Sequence, residues 1–83
     1  MAIPVQPAAA DSVELQAHEI VADIETTEPN ARNRLAYHLY LFMKNDYPSV
    51  EEAVRAAKAD LKEPYSIVLE RITQRLRDKG FPV

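Results

Sequence analysis

Apolar residues recur along this chain at three- and four-residue intervals in four separate stretches, the spacing of a single buried helical face. Across 12–26, Val13, Ala17, Ile20, Val21 and Ile24 share one stripe, while Glu14, Glu19, Asp23 and Glu25 point elsewhere. Asp11 or Ser12 is placed to cap this segment, and Glu14 stands three residues after Asp11 as in a capping box. Across 29–45 the core register is Ala31, Leu35, Leu39, Phe42 and Met43, with Thr27 as cap and Pro29 in the first turn, where its missing N–H costs nothing. Ser49-Val50-Glu51-Glu52 is a second capping box. It opens a third helix over 50–61 that buries Val50, Ala53, Val54, Ala57 and Leu61. Proline disfavours helical geometry in the residue before it, so Glu63-Pro64 breaks the path. A fourth helix over 64–79 then buries Tyr65, Val68, Leu69, Ile72 and Leu76. Its last turn is basic and Gly80 follows as a left-handed cap, with Phe81 folding back on the final turn.

No segment shows the strict alternation of a half-buried strand, and glycine occurs once. The first ten residues, with Pro4, Pro7 and three alanines, have no periodicity. The pattern therefore predicts an all-α protein: a small compact bundle of about four short helices, with residues 1–10 a flexible, disordered tail and 11–83 a single helical domain.

Composition agrees with that class, at 47% hydrophobic and 28% charged over 83 residues. A domain this short buries little more than half of its unfolded surface, so its stability is small unless something staples or pairs it. The absence of cysteine removes disulfides, thiolate nucleophiles and thiolate metal sites together, which leaves oligomerisation as the main route to extra stability. The chain opens with no basic region and no apolar run of the secretory kind. Its longest nearly unbroken apolar stretch, 35–43, is far below the roughly 20 residues of a membrane span. The expectation is a cytoplasmic chain with no membrane association.

Charge changes the picture. Residues 1–30 hold Asp11, Glu14, Glu19, Asp23, Glu25 and Glu28 with no Lys or Arg, whereas all ten Lys and Arg lie in 31–83 against seven acids. Such halves either attract each other within one chain or present an acidic surface to a basic partner. On the second reading Glu19 and Asp23, with Leu15 as an apolar anchor, form a docking face. The second helix adds another surface: in 35–43 only His38 is neither aliphatic nor aromatic, so Tyr37, Tyr40 and Leu41 are left over once the core face is filled. A helix apolar nearly all round is central in its bundle or shared with another molecule, and four helices leave little room for the first. Tyr37, Tyr40 and Leu41 are therefore read as a contact site, with a homodimer as the simplest use.

Catalytic chemistry is hard to find. His18 and His38 sit on different helices, and the residues three before them are Leu15 and Leu35, where a bundle di-metal site would need glutamate. Glu14 and His18 lack the further ligands that hold a metal, and a helix-surface role suits His18 better. For His38 the expectation is a partly buried or interface side chain. No G-x-S-x-G, H-E-x-x-H or glycine-rich phosphate loop occurs. The reading is no enzyme, no metal and no cofactor.

Nucleic-acid binding is the rival. From Tyr47 onward a small-residue helix is followed by one carrying Arg71, Gln74, Arg75 and Arg77, side chains suited to phosphates and base edges. The closing Leu76-Arg77-Asp78-Lys79-Gly80-Phe81 is similar to the end of a recognition helix in winged-helix regulators. It departs from them in having no glycine turn before that helix, a longer linker over 60–64 and no wing after Gly80. Four basic residues against two acids on this helix, in a chain of net charge −3, are a weak basic footprint. The function expected is thus a non-catalytic helical module that binds and modulates a larger protein partner and self-associates. A small DNA-binding regulator using the last helix is the alternative.

Overall fold

A computed structural model of the chain describes residues 8–83, with side chains from Ser12 onward. Four helices follow one another: α1 (Ala8–Ile20), α2 (Pro29–Met43), α3 (Val50–Ala57) and α4 (Tyr65–Asp78). They enclose one apolar core to which each contributes a stripe. Ala17 and Ile20 come from α1, Val21 and Ile24 from the turn after it, and Leu35, Ala36 and Leu39 from α2. Val54 and Ala57 of α3 and Val68, Ile72 and Leu76 of α4 complete it. Among the described residues no polar or charged residue is buried. The core is held by shape and apolar burial, and polar groups act at its margins. The protein is a compact all-α bundle of four short helices.

The helix ends differ from the sequence expectation in ways the backbone explains. α1 begins at Ala8 and stops at Ile20, so Ser12 lies inside the helix, where its Oγ accepts from Gln16 Nε2 at 3.3 Å, and does not cap it. Of the expected tail 1–10, residues 8–10 belong to this helix and the first seven lie outside the described residues. The stretch 21–26 leaves the helix because Thr26 pairs with Leu61 in an isolated antiparallel bridge. The Thr27 amide donates to Asp60 O at 2.9 Å and the Lys62 amide to Glu25 O at 3.0 Å, while Thr27 Oγ1 donates to Asp60 Oδ2 at 3.1 Å. The same bridge ends α3 early: Lys58 turns left-handed at φ 50° and Leu61 is drawn into pairing instead of a last helical turn. At α2 the cap position is Glu28, with extended backbone and no side-chain cap bond, so Thr27 serves the bridge and not the helix.

Two helices close as Schellman motifs. After α4, Phe81 N–H donates to Leu76 O and Gly80 N–H to Arg77 O, both at 3.0 Å, with Gly80 at φ 96°. After α2, Asp46 N–H donates to Leu41 O at 2.8 Å and Asn45 N–H to Phe42 O at 2.9 Å, with Asn45 taking the left-handed position at φ 71°. α3 opens as its sequence demands, the Glu52 amide donating to Ser49 Oγ at 3.2 Å.

Candidate interaction surface

The basic residues of the second half serve mainly to hold this chain together. A helix leaves its last carbonyls without partners and its C-terminus partly negative, which makes it a receptor for cations. Arg75 of α4 donates to Ile20 O, the last residue of α1, at 2.8 Å and grips Asp23 with two bonds of 2.7 and 3.0 Å. Arg34 of α2 donates to Ala57 O and Lys58 O at the end of α3, at 3.1 and 3.2 Å. Arg32 reaches Ile24 O at 2.9 Å. Arg71 makes a two-pronged pair with Glu63, at 2.8 and 3.2 Å, and Lys79 lies 3.4 Å from Glu19. The Arg75 guanidinium beside Asp23 holds its carboxyl below the ordinary value, and Arg71 does the same to Glu63; both effects arise first from the direct hydrogen bonds.

Glu19 and Asp23, the acids of the docking face expected from the sequence, are thus ion-paired with α4. Leu15, placed beside them as an anchor, is 60% exposed on the opposite side of α1 from the buried Ala17 and Ile20. The four residues proposed to read nucleic acid are also occupied. Besides the pairs of Arg71 and Arg75, Gln74 donates to Asp78 Oδ1 at 3.0 Å and accepts from Arg77 at 3.4 Å. Phosphate contact by Arg71 or Arg75 would have to displace a two-pronged carboxylate from each.

The outer face of α2 is different. Tyr37 is 52% exposed, Tyr40 and Leu41 are half-buried, and Lys44 continues the stripe with its ammonium 5.9 Å from the centre of the Tyr40 ring. Rotation of 100° per residue sets Tyr37 and Leu41 nearly opposite the buried side formed by Leu35 and Leu39. The rings form a connected series. Tyr37 and Tyr40 lie 6.4 Å apart with planes tilted 34°, Tyr37 meets His38 edge-on at 5.4 Å, and His38 lies 5.9 Å from Tyr47. His38 Nδ1 and the Tyr47 hydroxyl share a 2.7 Å hydrogen bond, which ties the loop after α2 back onto its flank. That loop was not foreseen from sequence as part of this face. The return of the Asp46 amide to Leu41 O brings it there.

A concavity of about 320 Å³ opens between the end of α2, the start of α3 and α4. Phe42, Pro48, Val50, Leu69, Pro82 and Val83 line it. It is at the small end of the range for ligand sites. Its serine, Ser49, spends its oxygen on the α3 cap. Among the described residues there is no group of three or more His, Asp or Glu side chains able to hold a metal ion, and no helix long and apolar enough to cross a membrane.

The fold and its exposed aromatic face define a small helical bundle domain. No family model, curated protein or solved structure matches the chain.

Proposed function

We propose that this chain is a non-catalytic interaction module that pairs with a second copy through the outer face of α2 and binds and modulates a larger protein. The observation that carries the reading is Tyr37, 52% exposed on the outer side of α2, with its ring beside that of Tyr40, which is packed in part against the core. Scattered exposed hydrophobes are ordinary, whereas clustered ones rich in tyrosine mark contact sites. A two-fold pairing, in which one patch meets itself, is the commonest way for a small chain to cover such a face. The DNA-binding alternative draws no support from α4, whose arginines are committed to Asp23 and Glu63.

Proton NMR tests the pairing. Ring signals of Tyr37 and Tyr40 should shift with protein concentration while those of the buried Ile72 methyls stay constant. Concentration-independent tyrosine signals would contradict it. For the larger partner, a protein retained by the wild-type chain and lost on Tyr37→Glu supports the reading, and identical capture by both chains contradicts it.

A further inference from the structure

We infer that α4 is a lid over a platform formed by α1, α2 and α3, hinged between Lys62 and Glu63 and latched by Arg75 to the end of α1, and that it opens as a unit while the platform stays folded.

Packing is the first argument. α2 lies along both α1 and α3, whereas α4 approaches those two only over short stretches, and no Cα of α4 comes within 8 Å of one in α2. Among the described residues, only Val68, Ile72 and Leu76 of the buried core cluster belong to α4, with Leu69 and Phe81 packed against it in part. The other buried members lie within 17–57, so the platform keeps most of its apolar burial when α4 departs. Elements that differ in this way are the ones that open separately in a folded domain.

The polar ties sort the same way. The platform has its own: Arg32 on Ile24 O, Arg34 on Ala57 O and Lys58 O, and the Thr26–Leu61 bridge with the Thr27–Asp60 and Lys62–Glu25 bonds beside it. These fix the chain as far as Lys62. Arg71 grips Glu63, the lead-in to its own helix, so Glu63 moves with the lid and the hinge falls just before it. Among the described residues, the side-chain bonds from α4 and its cap to the platform are those of Arg75 to Ile20 O and Asp23, Lys79 to Glu19 at 3.4 Å, and the Tyr65 hydroxyl to Glu51 O at 3.5 Å. Arg75 is the latch, because its bonds to Asp23 are charge-assisted and two-pronged and its third goes to a carbonyl at the end of α1. Its side chain is 34% exposed and that of Asp23 62%, so salt reaches the pair and weakens it. Opening uncovers the apolar side of the platform, a surface closed to any partner while the latch holds.

Native-state hydrogen exchange of the full chain, in urea below the unfolding transition, is the test. The α4 amides should form their own isotherm, at least about tenfold less protected than those of α2 and with a weaker urea dependence, because opening a lid exposes less surface than unfolding the domain. Two variants separate a lid from general loosening. Arg75→Gln removes bonds made only in the closed state, so protection should fall about tenfold in α4 and by the same factor in the platform, both being counted from that state. Arg34→Gln removes bonds that survive in the open state, so it should lower protection in α2 and leave α4 unchanged. One isotherm shared by all four helices in the wild-type chain overturns the lid, whether or not the variants fold. Equal losses in α2 and α4 on Arg34→Gln overturn it as well, and α4 protection untouched by Arg75→Gln overturns the latch.

Discussion

Ser49 Oγ, 3.2 Å from the Glu52 amide, satisfies one of the amides that α3 would otherwise leave open at its first turn. In a helix of only eight residues that single bond carries unusual weight. Ser49→Ala is expected to cost about 1 kcal/mol in urea unfolding, and a variant as stable as the parent would show that the cap contributes nothing. Gly80 is the complementary case at the other end of the fold. A Cβ there meets no atom within 4 Å, so the obstacle to a side chain is the backbone itself, at φ 96°. Gly80→Ala is therefore expected to lose about 1 kcal/mol through conformation alone, with no change in core packing visible by NMR. Both residues announce their roles in the sequence, because each role depends only on residues within five positions. Arg75 does not. Its partners Ile20 and Asp23 are 55 and 52 positions away, and nothing in helical periodicity separates an arginine that grips another helix from one that faces water.

The elements show the same division between local and distant causes. The four helices follow from apolar spacing, caps and prolines, and the core residues expected from that spacing are largely those found buried. α1 and α3 end short of their apolar spacing, and the chain beyond each enters the Thr26–Leu61 bridge, which joins residues 35 positions apart. The acidic first segment and basic last segment meet through Asp23–Arg75 and Glu19–Lys79, the within-chain option of the two that the charge pattern allowed. A pH dependence follows. Asp23 and Glu63 have folded values below their ordinary ones, so their contribution is fully present above the unfolded carboxylate range near pH 4 and is lost as the pH falls through the folded values. The wild-type bundle should lose stability progressively below about pH 4, and Asp23→Asn should flatten that acid limb while lowering stability at neutral pH. Parallel acid limbs for the two proteins would show that the pair is not linked to folding. Ile72→Ala, at the fully buried centre of α4, should cost about 2–5 kcal/mol in thermal or urea unfolding, a large share of what so small a domain holds.

For the whole molecule, the central claim is that the bundle is finished by a second copy. The surplus of apolar residues on α2 was visible in the sequence as a nine-residue stretch interrupted only by His38. How much of it stays exposed was not, because the return of the Asp46 amide to the Leu41 carbonyl and the bond between Tyr47 and His38 depend on the left-handed turn at Asn45. Tyr37 is the side chain through which to probe the claim, since it is half exposed and its replacement opens no cavity in the core. Sedimentation equilibrium at tens of micromolar is the most direct measurement. The account predicts a mass near twice 9.4 kDa that falls toward a single chain on dilution and in Tyr37→Glu at unchanged helicity. A mass of one chain at every concentration, or a dimer indifferent to Tyr37→Glu, would contradict it.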